Sequence, residues 1–276
     1  MKENIKKISS KSNHHIKLAK SLLHRKSREK EQLFVVEGVR LVEEAVLADN
    51  NIKFVLYSDK LLASQRGQHL INAFNQTDVD VFWVEENLLR ELSDTENPQG
   101  IFAVGEMFRH DLQALNIKKN SLLLLIDGVQ DPGNLGTMIR TACAVGAAGV
   151  ILTKGTVDLY NPKVIRASMG TIFQIPVISE ESNEKCLKYF QKHQVRILVA
   201  DAKGDKLYYQ TDIQGPVVWV LGNEANGPRA FFLNHAHEIA RIPLLGMAES
   251  LNVAVAAGIL LFDHIRRQEE QTILVN

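Results

Sequence analysis

The sequence predicts an α/β protein in two parts: a smaller amino-terminal α/β domain and a larger carboxy-terminal domain built on a parallel sheet. Three observations carry this. Short apolar runs alternate with helix-period stretches along the whole chain, the pattern of strand–helix units. Leu122-Leu123-Leu124-Leu125-Ile126 is continuously apolar, as a parallel strand buried on both faces requires. Near the end, Ile242-Pro243 and a loop holding Gly246 run into Val253–Phe262, apolar on every side for about three turns. That run is too short to span a bilayer and ends in His264-Ile265-Arg266-Arg267, so it is expected to be a buried helix.

In chain order, residues 13–30 form a basic helix with Ile16, Leu18, Leu22 and Leu23 as its apolar residues. Leu33–Glu37 is a strand, and Gly38 opens a helix with Val39, Val42, Val46 and Leu47 on one side. A strand at Lys53–Ser58, a helix at Leu61–Phe74, a strand at Val79–Val84 and a short helix at Glu86–Leu92 follow. After the Asn97-Pro98-Gln99-Gly100 turn, Ile101–Val104 closes the first domain, residues 31–105; residues 106–120 are a polar linker. The second domain, residues 121–276, continues from Leu122–Ile126 through the loop Asp127–Gly133 into a helix ending near Val145. Further strands are expected at Gly149–Leu152, Ile175–Ile178, Arg196–Ala200, Val217–Leu221 and Glu238–Ile242. Helices are expected at Pro162–Met169, Ser182–His193 and Pro228–Leu233.

Composition narrows the function. Hydrophobic residues at 45% and charged residues at 23% supply a core and exclude disorder. Cys143 and Cys186 are too few for a disulfide framework and match no metal spacing, which fits a reducing cytosol. The first ten residues have no apolar stretch of a secretory signal, and no segment is a membrane span. The net charge is zero but uneven. Residues 1–30 hold ten Lys/Arg against two Glu, a net +8, so residues 31–276 carry −8. A basic arm on an acidic chain is either the footprint of a polyanion binder or a solvated, frayed terminus.

Three constellations sit at the ends of successive elements. Asn134-Leu135-Gly136-Thr137-Met138-Ile139-Arg140 begins a helix whose Leu135, Met138, Ile139 and Ala142 face the core, leaving Arg140 off that stripe. It is either an anion site at a helix start or a plain strand–loop–helix turn with a surface arginine. Gly222-Asn223-Glu224-Ala225-Asn226-Gly227-Pro228 follows a buried strand, where ligands of α/β sheets bind; it is otherwise an ordinary tight connection. In Glu249-Ser250-Leu251-Asn252-Val253, Ser250 is expected to cap the helix, while Asn252, among apolar neighbours, has no evident structural task. There is no Walker A sequence and no dinucleotide fingerprint, and His235-x-His237 lacks further ligands for a metal.

In this order, Asn134…Gly136…Arg140, Gly222-Asn223-Glu224 and Ile242-Pro243 with Glu249–Val253 resemble the SpoU/TrmH-type RNA 2′-O-ribose methyltransferases of the SPOUT superfamily. The resemblance covers roughly residues 120–265. Phe34-Val35-Val36-Glu37-Gly38-Val39-Arg40 is similar to the L30e-like substrate-binding domain of many members. It implies a trefoil knot in the carboxy-terminal sheet domain, a homodimer with the site near its interface, and S-adenosylmethionine as methyl donor with no metal. The implied cofactor residues are Gly222, Glu224, Gly227, Ile242, Leu244, Ser250, Leu251 and Asn252. The implied catalytic set is Arg140, Asn134, Glu224, Ser250 and Asn252. Arg140 would grip the phosphate and stabilise developing alkoxide charge, since a guanidinium is a poor base. Asn134 would position Arg140 or the ribose, and the other three would order the loops. Many members carry Gly where Ala225 stands, which Ala replaces without strain only at negative φ. The front domain favours 23S ribosomal RNA over transfer RNA as substrate. A non-catalytic RNA-binding or ribosome-assembly module, or a tRNA ribose methyltransferase, is the alternative.

Overall fold

The computed structural model describes residues 6–48, 50–93 and 95–275, with side chains described as far as residue 270. The chain forms two compact units: Met1–Phe108 with Tyr160–Phe173, and Arg109–Leu159 with Gln174–Asn276.

The first unit begins with β1 (Lys6–Ile8), α1 (His14–Ser21) and α2 (Arg25–Glu31). It continues with β2 (Leu33–Glu37), α3 (Val39–Leu47), β3 (Ile52–Tyr57), α4 (Asp59–Leu62), α5 (Gln65–Phe74), β4 (Asp80–Val84), α6 (Glu86–Arg90) and β5 (Ile101–Glu106). Its sheet runs β1-β4-β3-β5-β2, with β5 antiparallel to both neighbours and the other pairs parallel. Residues 13–30 are therefore not a single basic helix, and residues 6–30 are not a free arm. The Asn13 side chain caps α1 at the His15 N–H, and Gln32, at φ 55°, ends α2. Ile8, Ile16, Ala19 and Leu22 are buried in the core with Phe54, Leu56 and Phe102. Leu61–Phe74 likewise splits in two, because Ser64 Oγ accepts the Gly67 N–H at 3.0 Å and starts a new helix.

The second unit contains β6 (Leu122–Asp127), α7 (Pro132–Ala144) and β7 (Gly149–Thr153). The helix α8 (Pro162–Ala167) comes next in the chain but belongs with the first unit. There Phe34 packs on Tyr160 and Phe173, at 4.8 and 6.2 Å between centroids, which explains why a segment expected in the second domain clusters with the first. Then follow β8 (Val177–Glu181), α9 (Asn183–Lys192), β9 (Arg196–Ala200), β10 (Lys206–Leu207), β11 (Val217–Gly222), α10 (Ala230–Asn234), β12 (Glu238–Arg241) and α11 (Val253–Val275). The sheet order is β10-β12-β9-β11-β6-β7-β8, and every pairing is parallel. All six residues of both β6 and β11 are buried, as a sheet covered on both faces demands. Residues 109–120 are more than a polar linker, since Leu112 and Leu115 sit in this unit's core.

The last helix also departs from expectation. It is longer than Val253–Phe262 and is not buried all round. Ala254, Ala257, Leu260 and Leu261 are buried, while Val255 and Phe262 are 52% and 56% exposed. It packs on α7 and β11. Among the described residues no helix is long and apolar enough to cross a membrane.

Candidate active site

The carboxyl ends of β9, β11 and β12 and the loop before α11 enclose a cavity of about 370 Å³. Ala200–Lys203, Leu221–Pro228, Ala240, Ile242, Leu244, Ser250, Leu251, Val253 and Ala256 line it. A space of this size at the strand ends of a parallel sheet suits a small ligand or cofactor. Of the eight residues expected at a cofactor, Gly222, Glu224, Gly227, Ile242, Leu244, Ser250 and Leu251 are in the lining. Asn252 stands outside it.

The wall after β11 is backbone at close quarters. A Cβ on Gly222 would lie 2.0 Å from the Pro228 nitrogen and 2.1 Å from the Gly227 carbonyl carbon, so only glycine fits. Asn223 and Gly227 exchange backbone hydrogen bonds at 3.1 and 2.9 Å, with Gly227 at φ +68°. Asn223 Oδ1 accepts the N–H groups of Ala225 and Asn226, at 3.0 and 3.1 Å. Ala225 is not among the residues at positive φ, so this loop takes alanine there without strain.

Glu224 reaches from that loop to the start of α7. Its Oε1 accepts from the Asp131 N–H at 3.1 Å and Asn134 Nδ2 at 3.0 Å; its Oε2 accepts from the Gln130 N–H at 3.1 Å. Burial alone pushes the carboxyl up, but the bonds from Asn134 and the backbone N–H groups outweigh it and hold the pKa below the usual value. Asn134 in turn accepts from Asn252 Nδ2 on its Oδ1, at 2.9 Å. Glu224, Asn134 and Asn252 are thus one hydrogen-bonded line joining the three motif stretches.

Asn252 also has the structural task that was expected of Ser250. Its Oδ1 accepts the N–H groups of Ala254 and Val255 at 2.9 and 3.2 Å, capping α11, whose first helical residue is Val253. Ser250 lies two residues too early to cap; it is exposed at the cavity wall. Arg140 stands apart. It is exposed in the middle of α7, outside the cavity lining, and makes no hydrogen bond or ion pair among the described residues.

Sequence reasoning missed a second layer. Asp127, fully buried at the end of β6, accepts from Thr153 Oγ1 at 2.8 Å and the Arg229 N–H at 2.9 Å, and pairs with the Arg229 guanidinium at 3.4 Å. Arg229 Nη2 donates onward to the Lys154 carbonyl at 2.5 Å. Three strand-end loops are thereby tied beneath the Glu224 cradle. Also unforeseen was the Ala200–Lys203 turn, whose only sequence signal was its place just after an apolar strand. Among the described residues no group of three or more His, Cys, Asp or Glu side chains is placed to hold a metal ion.

Comparison with known proteins is consistent with this geometry. Residues 121–262 match the model of the SpoU rRNA methylase family, and residues 13–103 match that of the MRM3-like substrate binding domain. The chain is 35% identical over 262 residues to the 23S rRNA (guanosine(2553)-2′-O)-methyltransferase RlmP of Bacillus subtilis, covering 95% of this chain and all of that one. The SpoU methyltransferase AviRb from Streptomyces viridochromogenes, solved in complex with the cofactor AdoMet, superposes with a TM-score of 0.86 at 28% identity. That match covers 93% of this chain and 98% of that one. An AdoMet-bound rRNA methyltransferase from Sinorhizobium meliloti gives 0.86 at 31% identity, covering 95% and 98%.

Proposed function

The chain belongs to the SpoU rRNA methylase family, and on that footing we propose that it methylates a ribose 2′-hydroxyl of 23S ribosomal RNA, with S-adenosylmethionine as donor. The observation that carries this reading is the cavity walled by Gly222–Gly227, Ile242, Leu244, Ser250 and Leu251, with Glu224, Asn134 and Asn252 locked beside it. The residues present fit that cofactor. Gly222 and Gly227 line the cavity without side chains, so a ligand meets main-chain groups there. Leu221, Ile242, Leu244 and Leu251 supply apolar faces for a flat base. When bound, the sulfonium supplies an electrophilic methyl group.

The chain's own residues do the positioning. Glu224 and Asn134 hold the start of α7 against the cavity wall, and Asn252 fixes the entry into α11 to the same point. Arg140, with its guanidinium unengaged, grips a backbone phosphate of the RNA and stabilises charge as the ribose hydroxyl loses its proton. A phosphate oxygen or water takes that proton, because the guanidinium cannot.

The same reading includes three further features. The amino-terminal unit is an L30e-like RNA-binding domain. The stretch from β12 through α11 closes a trefoil knot, which suits its return from β12, between β10 and β9, to pack on β11 and α7. The protein is a homodimer, for which the exposed Val255 and Phe262, seven residues apart on α11, supply an apolar face.

The test is direct. Purified protein and S-adenosylmethionine are incubated with 23S rRNA from cells lacking this protein, and ribose methylation is mapped. One new 2′-O-methyl nucleotide is the expected result. Transfer to transfer RNA alone, or to nothing, would overturn the proposal.

A further inference from the structure

The cavity has a second carboxylate, and its environment differs from that of Glu224. Asp201 lies on the turn after β9 and is fixed from three sides. Its N–H donates to the Ala240 carbonyl at 3.0 Å, its carbonyl accepts the Gly204 N–H at 3.0 Å, and its Oδ1 accepts the Lys203 N–H at 2.7 Å. The turn packs closely on β12, since a Cβ on Gly204 would lie 2.7 Å from the Ala240 backbone. Asp201 Oδ2 makes no hydrogen bond among the described residues. It faces the far wall, 3.6 Å from where a Cβ on Gly227 would stand. Both oxygens of Glu224, by contrast, are taken by donors of the protein itself.

We propose that Asp201 Oδ2 accepts a hydrogen bond from the ribose diol of the bound cofactor's adenosine half. The inference rests on the cavity being the S-adenosylmethionine site. An acid at the carboxyl end of a parallel strand is a position from which α/β proteins hold ribose hydroxyls. An acceptor already fixed by three backbone bonds needs little ordering when the ligand arrives. Lys203 lines the cavity on the same turn and offsets the Asp201 charge there, while the Glu224 oxygens are already taken, so a neutral diol is a matched donor for Asp201.

Calorimetric titration of the full chain tests it, with S-adenosylhomocysteine, its 2′-deoxy and 3′-deoxy forms, and 5′-methylthioadenosine, which has no amino-acid half. The native protein should bind at least one deoxy form about tenfold more weakly than the parent, the scale of a hydrogen bond to a charged group. Asp201→Asn should weaken the parent and methylthioadenosine by a similar factor, and the deoxy form should then lose little more. The inference is overturned if Asp201→Asn binds like the native protein, if the deoxy penalty survives intact in the variant, or if only ligands with the amino-acid half are weakened. Should the variant melt well below the native protein, the native titrations decide alone: equal binding of both deoxy forms and the parent overturns it. Absence of S-adenosylhomocysteine binding to the native chain removes the cofactor reading, and this inference with it.

Discussion

One side chain, Asn134, donates to Glu224 and accepts from Asn252, so two motif loops meet on a single amide at the start of α7. Glu224 is the charged member, and its carboxyl is held below the ordinary value of 4.5. A depressed acid stabilises the fold at pH above its ordinary value, and that stability is lost as pH falls through the folded pKa. Glu224→Gln should therefore melt lower than the native protein at pH 7, and the gap should close as pH drops below 4.5; a gap independent of pH would sink this account. Arg140→Ala should cut turnover by at least about 100-fold while S-adenosylmethionine affinity stays within about twofold, measured by calorimetry beside a methylation assay. Surviving turnover would remove Arg140 from the chemistry. The three motif stretches stood out only as an ordered set, through their resemblance to the SpoU/TrmH motifs, since each alone reads equally well as a plain turn or helix start. Asn252 was misjudged for want of one fact, where the helix begins, and helix boundaries are the weakest part of any sequence reading. Asp201, Asp127 and Arg229 were illegible because they acquire meaning only when sheet order sets β9 and β6 on either side of β11.

At the scale of elements, β6, β7 and β11 were plain in the sequence because burial on both faces leaves continuous apolar runs. β1 and β10 were not, being edge strands of three and two residues with no period to detect. The helix α11 carries a cost the sequence did not reveal. His264 is 1% exposed and its Nδ1 has no hydrogen-bond partner. Burial, and then the nearby Arg267, push its pKa down to about 4 from the ordinary 6.5. The unfolded chain therefore takes up a proton between those values that the folded chain refuses, and stability falls as pH drops through that window, by on the order of 3 kcal/mol at the acid end. His264→Leu should flatten the melting temperature between pH 6.5 and 4; an unchanged slope would assign the acid sensitivity elsewhere. On the same helix, Val255→Asp with Phe262→Asp should convert a dimer to a monomer in light scattering, and an unaltered mass would clear this stripe of any interface role.

For the whole molecule, the basic amino-terminal segment turns out to be partly structural. Arg28 is 3% exposed, and its Nη1 donates to the Leu22 and Leu23 carbonyls at 2.7 and 2.9 Å. Truncating residues 1–30 would strip Ile8, Ile16 and Leu22 from the core and report on folding rather than on RNA. The charge hypothesis is better tested on the surface, where Lys17, Lys20 and Lys26 are exposed and outside any ion pair among the described residues. Replacing all three with Gln should weaken RNA binding and reduce the slope of log affinity against log salt by about 2. An unchanged slope would show that this face does not meet the phosphate backbone. Finally, the amino-terminal unit is completed by Tyr160–Phe173, which the ribosome makes only after β6, α7 and β7. When residue 108 emerges, the Phe34 face still lacks its cover, and the missing piece arrives inside an unfinished neighbour. Domains generally fold in order of synthesis. Here the first gains the last of its aromatic cover only when the second is under way, so synthesis of the two halves overlaps rather than running one after the other.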